Sequence, residues 1–339
     1  MNLLSALQMR MDNKTKPIGS LGKLESIAIQ TGLIQHSLHP VIQKAAILLF
    51  AGDHGIAATG LVNPFPQEVT AQMVQNFIQQ GAAINVLCRE NNILLRVADA
   101  GVNADFDPDL PIEHCKIAKG TRNYLHGNAM QLFQVHEAFK TGAELVKQLH
   151  AEGCNTLGIG EMGIGNSSSA ALMMHQLCGL PLGDCIGMGT GNSTDHLLKK
   201  AATLQQVCDF HGLGKRTFSV EELLCSVGGF EIAMMTGAYL EGWKQNMVLV
   251  VDGFIATAAV LCAHQINPDI LSHCIFAHTS GEKGHAAMLE YLKVKPLLDL
   301  NMRLGEGTGA ALAIPLIKNA VAILSNMASF QSAGITKND

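Results

Sequence analysis

Hydrophobic residues occur along the chain in short aliphatic runs, and each run ends at Gly, Asp or His before helix-like sequence follows. This alternation is typical of parallel β-strands that are joined by crossover helices. The pattern predicts strands at residues 45–50, 93–97, 155–159, 247–251 and 274–277. The sequence therefore predicts an α/β fold with a parallel sheet and flanking helices.

Polar, glycine-rich loops follow all five predicted strands. They are residues 52–55, residues 99–103, the long glycine loop after residue 159, residues 252–254 and residues 278–284. Ligands of open α/β sheets bind outside the carboxyl ends of the strands. We therefore expect these loops to converge on one crevice.

The two ends of the chain have helix-like sequence with no strand between the helices. The first forty or so residues and the segment after Pro315 have this character. We expect a small helical domain made of residues 1–35 and 316–339, next to a large catalytic α/β domain of residues 36–315. The polar tail, residues 334–339, is expected to fray.

Composition suits an enzyme with a large core, since 48% of the 339 residues are hydrophobic, 15% are charged and 34 are glycine. The net charge of -5 and the lack of a long Lys/Arg cluster argue against a nucleic-acid partner. The longest uncharged stretch, between Glu161 and Asp184, is broken by polar residues and predicts no membrane span. Nine cysteines without a CxxC pair, and no signal peptide, indicate a soluble cytoplasmic protein with reduced thiols.

Residues 158–163 read GIGEMG, which matches the dinucleotide fingerprint GxGxxG, and Asp184 follows about twenty residues later, as in that fingerprint. Glu161 lies inside the loop, where a pyrophosphate would approach. Like charges about 4 Å apart repel by roughly 1 to 4 kcal/mol. Glu161 therefore argues against a dinucleotide.

Residues 166–169, NSSS, open an apolar helix at 170–177 and present N–H groups, hydroxyls and the helix dipole to an anion. The serines could instead only cap the helix. A second glycine loop, residues 187–191, favours a phosphate site. Lys200, or its neighbour Lys199, begins a helix-like stretch and could supply a cation, although a surface lysine is the simpler interpretation of either residue alone.

Glu306 lies between two glycines, just before the apolar run 310–317. It is either a first-turn acid that the helix dipole favours or a carboxylate in an apolar pocket, where a raised pKa would suit it to accept a proton. A metal site finds little support, because His278 and His285 come without an HExxH or CxxC motif. The adjacent residues Asp53 and His54 point to opposite faces of an extended segment and are expected to shape their loop.

Eight ordered stretches together resemble the nicotinate-nucleotide–dimethylbenzimidazole phosphoribosyltransferase family of cobalamin biosynthesis over nearly the whole chain. They are KPIGSLGKLE (16–25), GDHG (52–55), PQEVT (66–70), GEMGIGN (160–166), VGGF (227–230), DGF (252–254), EKG (282–284) and RLGEGTGA (303–310). The resemblance implies a Rossmann-like large domain, a small helical domain built from both chain ends, and a homodimer.

The resemblance also implies residue roles. Glu306 matches the family's general base, and Glu161 and Lys200 match further active-site residues. Phosphate contacts are implied for Gly163, Asn166, Ser167, Gly189 and Ser280, and we expect substrate contacts from Thr190, Asp252, Arg303 and Leu304.

Two departures from the family pattern bear on the substrate. Phe65 and Met73 align with a serine and a glutamine that often lie beside the base, so a more apolar base pocket is expected. The family's GNTT-type phosphate loop is here GNSSS, which keeps its hydroxyls.

The implied reaction transfers the phosphoribosyl group of nicotinate mononucleotide to 5,6-dimethylbenzimidazole or a related aromatic base, with no cofactor and no metal. Inversion at the anomeric carbon gives the α-riboside phosphate, and Glu306 accepts a proton from the base. Two alternatives stay open: an NAD-dependent oxidoreductase, and a non-catalytic homologue that binds base and nucleotide.

Overall fold

In the computed structural model, which describes residues 2–187, 189 and 194–336, six parallel strands form one sheet. The strands are β1 (Ala45–Gly52), β2 (Leu94–Gly101), β3 (Glu113–His114), β4 (Thr156–Met162), β5 (Val248–Val251) and β6 (Cys274–Phe276). All five predicted strands are present. The two-residue strand β3 was not predicted, because so short a strand carries no hydrophobic periodicity.

The strand order is β3-β2-β1-β4-β5-β6, which is the Rossmann order. The chain moves outward from β1 to β3, then returns to the centre and continues from β4 to β6. The direction of winding changes between β1 and β4, where Ile47 lies opposite Gly158. A crevice at the carboxyl ends of these two strands is therefore the expected ligand site. The predicted α/β, Rossmann-like fold is confirmed.

Helices connect the strands and cover both faces of the sheet. The α-helices are α1 (Leu3–Asp12), α2 (Lys23–Ile34), α3 (Glu68–Ile78), α4 (Ala83–Glu90), α5 (Leu132–Ala151), α6 (Asn166–Cys178), α7 (Leu182–Cys185), α8 (Thr194–His211), α9 (Val220–Val227), α10 (Phe230–Lys244), α11 (Phe254–Ile266), α12 (His285–Tyr291), α13 (Thr308–Asn326) and α14 (Phe330–Ala333). Two 3-10 helices span Gly55–Thr59 and Pro268–His273.

Strand β1 is buried along its whole length, so its alternating side chains enter two different hydrophobic clusters. Leu48 and Phe50 point to the cluster that contains residues of α5, α6, α10 and α11. Ile47 and Leu49 point to the opposite cluster, which contains residues of α1, α2, α4 and α13. Burial on both faces explains why the predicted strands read as continuous aliphatic runs.

The helices from the two chain ends lie together on one face of the sheet. Leu7 of α1 and Ile317 of α13 share a hydrophobic cluster with Ile47. Lys14 also donates a hydrogen bond of 2.5 Å to the carbonyl oxygen of Met327. Helix α13 runs without a break through Pro315, so a boundary between residues 315 and 316 would cut a helix. The division into a small and a large domain stays a prediction.

Helix α13 is long and apolar enough to cross a membrane, but 56% of its most apolar stretch is buried inside the protein. Its side chains pack on β1, β4 and β5, where Ala310 and Ile314 are fully buried. This is the burial of a core helix.

Candidate active site

A cavity of about 780 Å³, including the part open to solvent, lies at the carboxyl edge of the sheet. Its lining comes from two residues after the 3-10 helix Gly55–Thr59, from the segments that follow β4, β5 and β6, and from the loop before α13. The lining residues are Val62, Asn63, residues 161–167, Gly189, residues 252–256, His278, Ser280, Glu282 and residues 303–305.

The predicted convergence of strand-end loops holds for those after β4, β5 and β6. It fails for residues 52–55 and 99–103, which do not line the cavity. These two loops bind each other instead, since the Asn103 N–H donates to Asp53 Oδ2 at 2.8 Å. The carbonyl of Gly52 packs directly against Gly163, so the first loop supports the cavity from beneath.

Glu161, at the end of β4, is a buried wall of the cavity. Asn166 donates a short hydrogen bond to its carboxylate, and a Cβ added at Gly305 would touch its Oε1 atom. Burial raises the pKa of Glu161 to about 8, and the negative charge of Asp252 adds to the rise. The Glu161 carboxyl therefore lies in the cavity wall and contacts the loop that carries Glu306.

Glu306 lies at the entrance of α13, as predicted, in a left-handed conformation with φ +63°. Its backbone packs so tightly on β4 that a Cβ on Gly160 would lie 2.5 Å from the Glu306 carbonyl carbon. Its side chain is buried, and Oε2 finds no hydrogen-bond partner among the described residues. Burial, followed by the charge of Asp252, raises the pKa of Glu306 to about 7. Glu306 itself does not line the cavity, although its neighbour Gly305 does.

The amino end of α6, where the sequence predicts an anion site, lies at the cavity. Gly165 precedes the helix, and Asn166 and Ser167 are its first residues and line the cavity. The Lys200 ammonium donates to Ser167 Oγ at 3.1 Å and to the Gly187 carbonyl at 3.2 Å. The positive end of a helix dipole and a nearby cation suit a phosphate.

Lys200 is 1% exposed, and burial lowers its pKa to about 8. The structure separates it from Lys199, which is exposed. Neither lysine begins a helix, because α8 starts at Thr194. Thr190, predicted to contact substrate, lies outside the described residues.

Gly189 connects Ser167 and Lys200 to the loop before α13. Arg303 donates to its carbonyl oxygen at 3.0 Å, and its own N–H donates to Glu282 Oε2 at 3.3 Å. Burial raises the pKa of Glu282. Sequence reasoning gave Glu282 no role, although it follows a predicted strand end and could have been considered on that ground. Leu304, 56% exposed, adds an apolar side chain to the lining.

Ser280 lies in the cavity wall after β6. Its Oγ accepts from the Glu282 N–H at 3.2 Å, and its own N–H donates to His285 Nδ1 at 2.8 Å. Burial lowers the pKa of His285 to about 3, which keeps the ring neutral and able to accept this bond. His278 and His285 lie with ring centroids 6.4 Å apart. Within the described ranges, no group of three or more His, Cys, Asp or Glu residues could hold a metal ion.

Asp252 lines the cavity where β5 ends. Its Oδ1 accepts from the Ala310 N–H at 3.0 Å and its Oδ2 from the Gly307 N–H at 3.2 Å. His278 Nε2 lies 3.9 Å from Oδ1. Burial raises the pKa of Asp252 to about 6. The carboxylate thus bonds to the start of α13 as well as facing the cavity.

Phe65 and Met73, aligned with base-pocket positions, do not line this cavity. Phe65 is 47% exposed and borders an adjoining depression, which shares Asn63 with the main cavity. Met73 is partly buried in α3 and packs on the cluster that includes α13. Their role in choosing the base stays a prediction.

The GxGxxG match is not a phosphate-binding turn. Gly158 and Gly160 lie inside β4, not between a strand and a helix. A Cβ on Gly158 would lie 3.0 Å from the Ala310 side chain. These glycines let α13 approach the sheet, which removes the sequence support for a dinucleotide site.

A buried chain of polar groups beneath the cavity was missed. His54 Nε2 bonds Glu231 Oε1 at 2.6 Å, and His54 Nδ1 bonds Ser169 Oγ at 3.1 Å. Ser169 in turn donates to Tyr124 Oη at 3.2 Å. His54 therefore helps to shape the loop of residues 52–55, as predicted. Its partner Glu231 is 177 residues away, so no local pattern in the sequence could indicate the pair.

Comparison with known proteins gives one consistent family. Residues 1–335 match a family model described as phosphoribosyltransferase. Nicotinate-nucleotide–dimethylbenzimidazole phosphoribosyltransferase of Cupriavidus necator is 48% identical over 330 residues, covering 97% of this chain and 94% of the relative. The protein of that name in Dechloromonas aromatica is 47% identical over 337 residues, covering 99% and 97%. The crystal structure of CobT from Thermus thermophilus superposes with a TM-score of 0.94 at 38% identity, covering 99% of each chain.

Proposed function

The chain belongs to the nicotinate-nucleotide–dimethylbenzimidazole phosphoribosyltransferase family, and on that premise we propose how its cavity performs the transfer. The enzyme moves the phosphoribosyl group of nicotinate mononucleotide to 5,6-dimethylbenzimidazole or a related aromatic base. The products are α-ribazole 5′-phosphate, used for the lower-ligand nucleotide loop of cobalamin, and nicotinate.

The reaction creates one proton that needs an acceptor. A ring nitrogen of the base attacks the anomeric carbon while the bond to the nicotinate nitrogen breaks, and its electron pair leaves with nicotinate. An imidazole-type ring that gains a carbon on one nitrogen stays cationic until the other nitrogen releases its proton. Glu306 accepts that proton, since a carboxyl with a pKa of about 7 is ionised in half the molecules at neutral pH.

We assign the phosphate to the amino end of α6. Ser167 and Gly189 lie beside the Lys200 ammonium, and Asn166 is hydrogen-bonded to Glu161. We assign Gly163 and Ser280 to the same phosphate contacts, and Arg303 and Leu304 to the rim of the site. Holding the ribosyl group and base at attack distance lowers the entropic cost of the transfer. We assign the stabilisation of the positive charge that develops on the ribosyl group to the ionised form of Glu161, which is the minority form at neutral pH because the pKa of Glu161 is about 8.

The observation that carries the proposal is the buried Glu306 carboxyl, with one oxygen that has no partner among the described residues, beside a cavity that reaches the amino end of α6. The test is to incubate the protein with nicotinate mononucleotide and a panel of benzimidazoles, purines and phenols. Mass spectrometry should show nicotinate release and an α-riboside phosphate. Glu306→Gln should bind both substrates and lose about 100-fold or more in turnover. Near-normal turnover of this variant would remove the general-base assignment.

We also propose a cytoplasmic homodimer. All nine cysteines are free thiols, which fits a reducing compartment. Leu198 and Phe210 of α8 are 64% and 58% exposed and offer apolar surface to a second copy. Light scattering on the purified protein should give twice the chain mass of 36.1 kDa. A monomer at micromolar concentration would contradict the dimer.

A further inference from the structure

The carboxylate of Asp252 caps a helix that is far away in sequence. The first N–H groups of a helix have no partner within it, and a nearby residue usually supplies one. At the start of helix α13, the N–H groups of Gly307 and Ala310 instead donate to the two carboxylate oxygens of Asp252. Asp252 is 3% exposed and precedes Ala310 by 58 residues. The end of β5 is thereby tied to the loop that carries Glu306.

The backbone of the loop that carries Glu306 is in an unfavourable conformation, so contacts with the rest of the protein are needed to stabilise it. Gly305, Glu306 and Gly307 are three consecutive residues with left-handed backbone, at φ +83°, +63° and +80°. A residue with a side chain loses about 1 kcal/mol or more in this conformation. Gly160 of β4 packs against the Glu306 backbone, and Asp252 binds the N–H that follows Glu306. Within the turn, the Thr308 N–H and Oγ1 both donate to the Gly305 carbonyl oxygen, at 3.0 and 2.8 Å, and these two outside contacts join the turn to the sheet.

Asp252 also acts on Glu306 by its charge. Burial is the larger cause of the raised pKa of Glu306, and the charge of Asp252 is the second. The other titratable groups around the loop are Glu161 at the end of β4, His278 and Glu282 after β6, and Arg303 on the loop itself. His278 and the N–H groups of α13 limit the rise in the pKa of Asp252, to about 6, so Asp252 is ionised near pH 7.

We propose that Asp252 is a positioning residue for the proton acceptor: its carboxylate holds the backbone that presents Glu306, and its charge acts on the Glu306 carboxyl. This inference rests on the proposed role of Glu306. It also replaces the expected substrate contact of Asp252, because both carboxylate oxygens accept hydrogen bonds from the start of α13. The sequence resemblance pointed only to a substrate contact.

The first test is Asp252→Asn, which keeps the size of the side chain but removes the charge and one acceptor. We expect the acid limb of the kcat profile to move about one unit lower in pH, because the Glu306 pKa falls. We expect kcat to drop about 10- to 100-fold, since a misplacement of about 1 Å can cost about 100-fold. The KM for nicotinate mononucleotide should change less than twofold. An unchanged acid limb would overturn the proposal.

Asp99→Asn is the matched control. Asp99 is also a buried aspartate at a strand end, where its Oδ1 accepts from the Val102 N–H at 2.9 Å, but it lies outside the cavity lining. The dependence of kcat on pH in Asp99→Asn should match that of the parent protein. Asp252→Glu keeps the charge and displaces it, so the acid limb should stay while kcat falls. Parental kcat in Asp252→Glu would overturn the positioning role, and this variant serves if the Asn variant does not fold.

A double variant separates this inference from the proposed function. If Asp252 acts through Glu306, then Asp252→Asn combined with Glu306→Gln should turn over no more slowly than Glu306→Gln alone. A further tenfold loss in the double variant would overturn the inference and leave the general base in place. Near-normal turnover of Glu306→Gln would instead overturn the proposed function itself.

Discussion

Glu306 shows how a residue acquires its chemistry from its surroundings. Its glycine neighbours and the following apolar run place it at a helix entrance, where an acid is common for electrostatic reasons alone. Burial and the charge of Asp252 raise its pKa to about 7, so the carboxyl titrates near neutral pH. These two contributions come from packing rather than from local sequence.

Turnover should depend on pH through Glu306. The group must be ionised to accept a proton, so kcat should rise with pH and reach half its plateau near pH 7. Below that value it should fall tenfold for each pH unit. The measurement is kcat at saturating substrate from pH 5 to 9. A flat profile between pH 5.5 and 8 would contradict a base with this pKa.

The His54–Glu231 pair acts at the same scale but on stability. Both side chains are fully buried, and Glu231 Oε2 already has no partner within the described chain. His54→Ala would leave the other oxygen unpaired as well. The free energy of unfolding should fall by about 3 kcal/mol or more, because a buried polar group loses its only compensation.

Urea unfolding of His54→Ala at neutral pH measures this loss. His126→Ala is the control, because His126 is an exposed histidine and its removal should change the free energy of unfolding by no more than about 0.5 kcal/mol. Equal stabilities of the two variants would show that the pair contributes nothing.

At the scale of elements, glycines set how closely the layers approach. Gly158 and Gly160 admit α13 to the sheet, and Gly142 of α5 and Gly237 of α10 let those two helices cross. A sequence pattern identifies such residues only as helix or strand glycines, and here it matched a nucleotide fingerprint by coincidence. Their function becomes visible only when the opposing element is in place.

Gly142→Ala should destabilise the protein. The added Cβ would overlap the carbonyl oxygen of Met234 on α10, and overpacking of this kind costs about 1 to 3 kcal/mol. Gly183→Ala is the control, since no atom lies within 4 Å of its Cβ and its φ is not left-handed. Thermal unfolding should show a lower Tm for Gly142→Ala and no loss for Gly183→Ala. A parental Tm for Gly142→Ala would contradict the close crossing.

At the scale of the whole molecule, three buried acids meet at one edge of the sheet. The pKa values of Glu161, Glu306 and Asp252 are raised to about 8, 7 and 6. The folded protein therefore binds more protons than the unfolded chain between the ordinary carboxyl pKa values and about pH 8. Each unit of pKa shift corresponds to about 1.4 kcal/mol.

The sign of the pH dependence follows from linkage. Because these acids have higher pKa values in the folded state, their contribution to stability is complete below pH 4 and is lost as pH rises to about 8. The free energy of unfolding should fall between pH 5.5 and 8.5 in urea titrations. The double variant Glu161→Gln, Glu306→Gln should show a flatter dependence. An equally steep fall in that variant would assign the effect to other groups.

The sequence determined that five strands are present and, to within one residue, where they begin, that helices alternate with them, and that Glu306 precedes an apolar helix, although β1, β2 and β4 run further than predicted, to Gly52, Gly101 and Met162. It could do so because the hydrophobic periodicity of a segment indicates which of its faces are buried, and so whether it is a strand or a helix. It also placed Ser167 at a helix start, but Lys200, predicted to begin a helix-like stretch, lies inside α8. The local pattern did not distinguish Lys200 from Lys199; the family resemblance pointed to Lys200, and of the two side chains only that of Lys200 is buried.

Only the tertiary structure decided which distant groups meet. It brought Glu231 to His54, Asp252 to the start of α13 and Glu282 to Gly189, and it kept residues 52–55 and 99–103 out of the cavity. The physical reason is that a pairing across more than fifty residues depends on how closely whole layers pack. That distance, and the desolvation that raises the pKa of Glu306, are properties of the assembled sheet and helices rather than of any one segment.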